Sequence, residues 1–356
     1  QQIYHWQKSI IMTSVPQLCL GSAMTKSTLF IGDLSHNWTR SYARLEALKK
    51  ELPSTTVTAR NWNAESRIGR FLLKVYFKLQ LPILAPIYLL WGTRLSERHL
   101  IWVDNFPLFP PLFIKLLKMF YPTLKIIFVS EDNFLLPHNY IRLHRCSLPY
   151  YDCIFTTKDY VMKRMTKQAS IYQILDSFDE RLNSTAKEDK HNYCYDVSFI
   201  GTFENDRFMH LNYLCAHGID VHIFGNGWPQ SISKNMHIHK PVFGKDFKTI
   251  ACSSRINLLF LRHQNFDEIT SRSYEIPSFS VFFLAEKSPK HEQLYKNEGL
   301  MFNNSDVLLE RVQYWLGKSE NQREILSKLL YDRIAIPENS IGRQVAHILQ
   351  NSGIGI

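Results

Sequence analysis

Two acidic and two basic residues lie close together in the second half of the chain. Asp267 and Glu275 are separated by seven residues, and Arg262 and Arg272 stand beside them. Apolar runs lie on either side, and polar groups just past the carboxyl ends of buried parallel strands face the ligand crevice of an open α/β sheet. Carboxylates accept hydrogen bonds from sugar hydroxyls, and guanidinium groups bind a diphosphate. The segment therefore predicts a nucleotide-sugar site.

A turn further upstream has the composition of a phosphate loop. Gly201 and Thr202 follow an apolar run and precede a helical pattern that carries Arg207. Backbone N–H groups at such a helix start bind phosphate, and Arg207 would add a charge-assisted contact. The alternative is that Arg207 is a solvated arginine on a helix face.

A second turn in the same half offers close backbone approach and an aromatic ring. Gly225 and Gly227 bracket Asn226, and Trp228 follows directly. Glycines let a backbone approach a ligand closely, and the indole of Trp228 would stack on a base or sugar. An ordinary tight turn explains the same residues equally well.

The first half contributes one candidate catalytic carboxylate. Asp132 follows the apolar run 125–129, so it is predicted to face the same crevice and to bind the acceptor or act as a base. The Asp-x-Asp spacing of a metal-dependent transferase is absent, and no metal site is predicted.

Apolar runs alternate with helical patterns along the whole chain, which predicts an α/β fold with two parallel sheets covered by helices. The predicted strands include 27–32, 153–156, 195–200 and 221–224. The polar and charged stretch around NSTAKEDKH divides the alternation into two halves. The predicted organisation is an N-terminal extension at 1–24, a first domain at 25–182, a linker at 183–192, a second domain at 193–338 and a C-terminal helix and tail at 339–356.

The excess of positive over negative charge is confined to the first half of the chain. The net charge is +10, and residues 1–182 carry 23 Lys and Arg against 13 Asp and Glu. Such a surplus favours an anionic partner: an acidic membrane, a phosphate-bearing acceptor or nucleic acid. The run 67–98 is predicted either to lie on a membrane surface or to form a buried helix pair. A basic surface without any partner stays an alternative.

Six cysteines show no paired spacing, and residues 1–24 make a poor signal peptide. Both features favour a reduced, cytoplasmic location.

The chain resembles the CgeB-like (spore-maturation type) glycosyltransferases of the GT-B superfamily. The resemblance covers roughly residues 27 to 350, and order and spacing carry it rather than any single motif. It is carried in the first half by Gly32 and residues 42–48, 101–104 and 151–157, and in the second half by residues 196–202, 224–228, 241–244 and 256–302.

The resemblance implies two Rossmann-like doubly wound domains facing a cleft, with the last helix returning to the first domain. It implies that Glu275 accepts hydrogen bonds from the donor ribose and that Asp267 contacts the transferred sugar. The alternative is that Glu275 forms a structural pair with Arg272, three residues away on one helix. It further implies a retaining, metal-independent transfer to a glycan or lipid-linked acceptor. Thr202 stands where related enzymes carry a basic residue, which leaves Arg262 or Arg272 as the second cation.

Two other function classes stay open from the residues. One is a non-enzymatic membrane- or nucleic-acid-binding protein that uses the basic half, although no nucleic-acid motif is present. The other is a nucleotide-sugar-modifying enzyme such as an epimerase, although no early Gly-x-Gly-x-x-Gly fingerprint supports a bound dinucleotide cofactor.

Overall fold

A computed structural model of the protein describes residues 27–62, 71, 75, 90, 93–105, 109–137, 139, 142–165, 170–185, 193–229 and 233–354. The expected N-terminal extension at 1–24 and most of the basic run at 67–98 lie outside the described residues, as does much of the expected linker at 183–192.

Twelve strands form two sheets of six, and every pairing within them is parallel. The central strands are almost completely buried, which is why they appear in the sequence as continuous apolar runs. The strands are β1 Ser27–Gly32, β2 Thr56–Asn61, β3 Arg98–Asp104, β4 Lys125–Ser130, β5 Cys153–Thr156, β6 Ile171–Gln173, β7 Tyr195–Ile200, β8 Val221–Phe224, β9 Met236–His239, β10 Ser254–Leu259, β11 Phe283–Glu286 and β12 Met301–Phe302.

Helices connect the strands and cover both sheets. In the part of the chain that the structure describes, they are α1 Arg40–Glu51, α2 Pro111–Phe120, α3 Arg142–Ser147, α4 Asp159–Met165, α5 Asn205–Ala216, α6 Gly244–Cys252, α7 Arg272–Ser278, α8 Pro289–Tyr295, α9 Ser305–Leu316, α10 Glu320–Ile334 and α11 Ile341–Asn351. None of the described helices is long and apolar enough to cross a membrane.

The strand orders make both domains doubly wound. The first sheet has the order β2-β1-β3-β4-β5-β6, and the second has the order β12-β11-β10-β7-β8-β9. The direction of winding reverses between β1 and β3 in the first domain, and between β7 and β10 in the second. Ligands of open α/β sheets bind outside the carboxyl strand ends at such switch points. The predicted fold class is confirmed.

The last helix, α11, packs back on the first domain. Ser340 caps its amino end by accepting a hydrogen bond from the backbone N–H of Arg343. Ile341, Val345 and Ile348 form one apolar stripe at helical spacing, and they are buried in the first-domain core against α1. The C-terminal return of the chain therefore rests on ordinary hydrophobic packing.

Candidate functional site

A cleft of about 360 Å³ lies between the two domains, at the carboxyl ends of their strands. Its volume is within the range of small-molecule sites. Of the predicted site residues, eight line it: Asp132, Gly201, Thr202, Arg207, Gly225, Arg262, Asp267 and Arg272. Glu275, Gly227 and Trp228 are not among the lining residues.

The floor of the cleft is formed by the loops after β7 and β8, which are in direct contact. A Cβ added to Gly225 would lie 1.8 Å from the carbonyl oxygen of Gly201. No side chain fits there, so glycine is required for the approach of the two loops. This requirement is a packing reason for Gly225, and it leaves the backbone around Gly201 and Thr202 open to the cleft.

Trp228 supports this floor from behind. Its indole N–H donates to the carbonyl oxygen of Gly201 at 2.9 Å, and its ring packs edge-on against Phe199 and Phe203. Gly227 has a φ of +81°, the left-handed conformation that a glycine turn supplies. In the structure this pair shapes the loop, and a stacking contact of Trp228 with a ligand would need the indole to move.

Arg207 joins the ends of β7 and β10. Its guanidinium donates to the carbonyl oxygens of Thr202 at 3.0 Å and Leu261 at 2.9 Å. It also lies 3.5 Å from the carboxylate of the buried Glu204, and burial lowers the pKa of Arg207. Arg207 is therefore neither the solvated arginine of the alternative interpretation nor a fully available phosphate ligand.

Arg262 and Arg272 are the more exposed cations of the second-domain wall. The side chain of Arg262 is 43% exposed and lies 3.4 Å from Glu204 and 3.9 Å from Asp132. The side chain of Arg272 is 34% exposed, and its guanidinium stacks over the ring of Phe247 at 3.7 Å. Both arginines line the cleft and are partly exposed, so they are available to a diphosphate.

Glu275 bridges the domains from behind the wall. Its carboxylate pairs with Arg272 at 2.7 Å on the same helix and with Arg40 of the first domain at 3.2 Å. Both carboxylate oxygens are therefore engaged by arginines, and the residue is buried. A contact with the donor ribose would require one of these ion pairs to open.

The pair between Arg40 and Glu275 extends into a buried network in the first domain. Arg40 donates to Glu131 at 2.7 Å, and Glu131 also accepts from Arg44. Arg44 is fully buried, pairs with Asp104 at 3.0 Å and donates to Gln344 of α11 at 2.9 Å. The network therefore joins the first domain, the second domain and the returning helix.

Asp267 faces the cleft but has a partner from the opposite domain. Lys158, which follows β5, lies 2.7 Å from its carboxylate, and both side chains are buried. Burial alone would lower the pKa of Lys158, but Asp176 and Asp267 outweigh it and raise that pKa. Lys158 is therefore a fixed positive charge in the wall of the cleft.

Asp176, three residues past β6, is the least satisfied carboxylate of the site. It is buried and lines the cleft, and its Oδ2 has no hydrogen-bond partner among the described residues. Burial raises the pKa of Asp176 to about 7, although the charge of Lys158 opposes the shift. A carboxyl group with a pKa near neutrality can accept or donate a proton.

The described residues contain no group of three or more His, Cys, Asp or Glu side chains that could hold a metal ion.

Comparisons with known proteins show what this chain is similar to. Residues 208–350 match the family Glycosyl transferase-like. A search of the curated proteins finds no significant match. Among solved structures, an apo structure of OtsA is similar at a TM-score of 0.63 and 11% identity, with 93% of this chain and 99% of that chain covered.

Two further solved structures share the architecture at low identity. The DNA-modifying enzyme β-glucosyltransferase, studied with and without uridine diphosphoglucose, gives a TM-score of 0.58 at 12% identity, with coverages of 92% and 99%. A protein from Listeria monocytogenes, described as a UDP-N-acetylglucosamine 2-epimerase, gives a TM-score of 0.52 at 12% identity, with coverages of 92% and 95%. The fold is GT-B.

The cleft lies where a GT-B protein has its interdomain site, and the glycosyl transferase-like segment supplies Arg262, Asp267 and Arg272. At these identities the solved structures show the GT-B fold alone. The narrower CgeB-like resemblance stays a prediction.

Sequence reasoning did not select Arg40, Lys158 and Asp176. Lys158 carried a usable signal, since it follows the predicted strand at 153–156. Asp176 carried none, because the short strand before it, β6, was not predicted. Arg40 carried none, because it opens α1 and its partners are 91 and 235 residues away in the chain.

Proposed function

We propose that the protein is a glycosyltransferase that moves a hexosyl or related sugar from a nucleotide-sugar donor to a hydroxyl group of an acceptor. The observation that carries the proposal is the cleft of this GT-B fold. It presents two partly exposed arginines, Arg262 and Arg272, on the glycosyl transferase-like wall and the carboxylates Asp132 and Asp176 on the other. Cations on one side and proton acceptors on the other are what sugar transfer from a diphosphate needs.

The donor in this proposal is a uridine diphosphate sugar. Among the similar structures, a β-glucosyltransferase has uridine diphosphoglucose as its substrate, and another is described as a UDP-N-acetylglucosamine 2-epimerase. Arg262 and Arg272 would neutralise the diphosphate as it leaves, and the backbone at Gly201 and Thr202 would approach a phosphate closely. A thermal-shift screen of nucleotides tests the donor, because a ligand at 100 times its dissociation constant adds about 2.7 kcal/mol to the free energy of unfolding. No shift with any nucleotide-sugar would refute the proposal.

Asp176 and Asp132 are the acceptor-side groups of this proposal. The unpartnered Oδ2 of Asp176 is available to a hydroxyl group, and its pKa of about 7 suits removal of a proton near neutral pH. Asp132 is more exposed and would help to orient the same acceptor.

The stereochemistry in this proposal is retention. It is supported by the resemblance of Asp267 and Glu275 to the acidic pair of retaining enzymes. A free base at Asp176 would instead serve an inverting displacement, so the two observations favour different outcomes. NMR of the anomeric proton in the first-formed product decides between them.

We further propose that transfer needs no metal ion. Lys158, Arg262 and Arg272 place positive charge around the cleft, where another enzyme would use a divalent cation. Activity should survive excess EDTA. Complete loss of activity that manganese restores would show that the diphosphate lies elsewhere. The adjacent carboxylates Glu131 and Asp132 would then be the candidate metal ligands.

The acceptor in this proposal is a glycan or a lipid-linked glycan of polysaccharide biosynthesis, used in the cytoplasm. The excess positive charge of residues 1–182 supports peripheral contact with an anionic membrane. Tight, salt-dependent RNA binding without any response to nucleotide-sugars would support the non-enzymatic alternative instead.

An epimerase is the second candidate function, because a UDP-N-acetylglucosamine 2-epimerase shares the fold. The two candidates differ in their products. Incubation with the donor alone and then with acceptors separates them: an epimerase yields a UDP-sugar with an altered sugar, whereas a transferase yields free UDP and a glycoside of the acceptor.

A further inference from the structure

A second cavity lies on the far side of Lys158 from the cleft, and we call it the back pocket. Its volume is about 280 Å³, and it is lined by residues of both domains, among them Lys158, Tyr160, Lys163, Arg164, Phe266 and Lys290. Lys158 lines both the back pocket and the cleft. The side chain of Lys158 would therefore separate a ligand in the back pocket from the cleft.

The back pocket carries unbalanced positive charge. Its four lining cations face only two lining carboxylates, Asp159 and Glu268. Lys158 and Lys290 are each paired with an aspartate at 2.7 Å. Among the described residues, Lys163 and Arg164 have no carboxylate within 4.0 Å, so their charge is available to an anion.

Arg164 is held in place by a stack of rings from the two domains. Its guanidinium lies 3.6 Å over the ring of Tyr160, and that ring stacks on Phe266 at 4.7 Å with an interplanar angle of 2°. Stacking occupies a face of the guanidinium and leaves its N–H edge free, which is the geometry that binds a phosphate with two hydrogen bonds. A cation ordered before binding loses less entropy when the ligand arrives.

Phe266 is held in an unfavourable conformation to complete this stack. Its φ is +56°, in the left-handed region that bulky residues rarely adopt, and 55% of the residue is exposed. Such backbone strain costs on the order of 1–3 kcal/mol and concentrates at ligand sites. The stability of the fold alone does not explain an exposed aromatic ring in a strained turn.

We propose that the back pocket binds the phosphate group of a phosphorylated acceptor, through Lys163 and the stacked Arg164. Under this proposal the acceptor is a sugar phosphate or a lipid-linked sugar phosphate, whose hydroxyl reaches the cleft past Lys158. The inference rests on the proposed sugar transfer for the role of the ligand. The anion site itself rests only on the back pocket.

The test compares phosphate binding with nucleotide binding in the same variants. The double variant Lys163→Ala/Arg164→Ala removes both available charges from exposed positions, so folding should be unaffected. The matched control is Lys318→Ala, because Lys318 also lies over a tyrosine ring, Tyr314 at 4.4 Å. Calorimetry measures the affinity of each protein for a hexose 6-phosphate and for UDP. Flotation with phosphatidylcholine vesicles, with or without phosphatidic acid, measures binding to lipid phosphate.

We expect the double variant to lose at least about tenfold in affinity for the phosphate probe, since two charge-assisted contacts disappear. UDP affinity should stay unchanged, and Lys318→Ala should match the wild type. Arg164→Lys should recover part of the loss, because it restores the charge but not the planar edge.

The two sources of phosphate give different patterns. Binding of the hexose phosphate but not of vesicles indicates a soluble acceptor, and the reverse indicates a lipid-linked one. The inference is overturned if wild-type protein binds neither probe, or if the double variant binds both as tightly as the control. Absence of UDP binding in all proteins would overturn the proposed function and leave the phosphate result readable.

Discussion

Glu131 and Asp176 are both carboxylates of the first domain that line the cleft, yet their surroundings have opposite effects on their pKa values. Burial by itself would raise the pKa of both carboxyl groups. At Glu131, Arg40 and Arg44 outweigh burial and lower the pKa to about 2. At Asp176 the charge of Lys158 is not sufficient, and the pKa rises to about 7.

The difference separates architecture from chemistry. Glu131 has its charge neutralised by two arginines, and its network holds the first domain, Glu275 and the C-terminal helix together. Asp176 keeps an oxygen without a partner. A saturated carboxylate stabilises the relative position of the domains, whereas an unsaturated one is available to a substrate.

The largest expected effect comes from breaking the saturated network. Arg44→Met should lower the free energy of unfolding by about 3–5 kcal/mol, because it leaves the buried Asp104 without its ion-pair partner and removes one of the two arginines paired with Glu131. Urea denaturation measures the change. Lys49→Ala on the same helix is the control, since its exposed pair with Glu46 at 2.8 Å should contribute about 0.5 kcal/mol at most. A similar small loss for Arg44→Met would remove the structural role assigned to the network.

The two carboxylates should give opposite pH dependences of stability. The folded pKa of Asp176 lies above its unfolded value, so this group stabilises the fold at low pH. That contribution is lost as the pH rises from about 4 towards 7, by up to about 1.4 kcal/mol per unit. Asp176→Asn should remove this slope. The folded pKa of Glu131 is lowered, so its contribution is present above pH 4.5 and lost as the pH falls towards 2.

Thermal denaturation of wild type, Asp176→Asn and Glu131→Gln between pH 2 and pH 8 measures both slopes. In the same variants, Asp176→Asn should lower the transfer rate by about 100-fold or more while UDP affinity is kept, as expected for loss of a general base. Unchanged transfer by Asp176→Asn would exclude it from the chemistry.

Glu275→Ala should affect diphosphate binding more than nucleoside binding. Glu275 orients Arg272, so its loss should weaken UDP by about tenfold, or about 1.4 kcal/mol, and leave uridine nearly unaffected. Calorimetry with both ligands measures this, and Arg272→Ala should show the same pattern. Equal losses for UDP and uridine would instead support the predicted ribose contact.

Trp228→Phe should have the smallest effect. It removes the hydrogen bond to Gly201 but keeps the aromatic packing, and one such bond contributes about 1 kcal/mol. Stability should fall by that amount, with a similar or smaller loss in UDP affinity. A much larger loss of affinity than of stability would show that the indole contacts the ligand.

Most of the fold could be predicted from apolar periodicity. The strands at 27–32, 153–156, 195–200 and 221–224 agree with the structure residue for residue. The sequence analysis predicted neither the strands β6, β9 and β12 nor the helices α3, α4 and α8. The three strands lie at sheet edges. The strands β6 and β9 are only partly buried and β12 has two residues, so each leaves little apolar signal.

The position of the second-domain wall also followed from the sequence. Gly201 directly follows β7 and Arg262 lies three residues past β10, and in a doubly wound sheet such positions face the crevice. The local sequence is sufficient for that inference, because the residues of a strand and those directly after it determine where the strand ends.

The tertiary structure alone decided which polar side chains are already engaged. Glu275 was predicted to face the donor, but Arg40, 235 residues away, takes one of its oxygens. Asp176 has no such partner for Oδ2, and no local pattern marks that difference. Periodicity along the sequence determined burial and therefore the fold. The pairing of charges depends on distances of a few ångströms between remote segments, and only the packed domains set those distances.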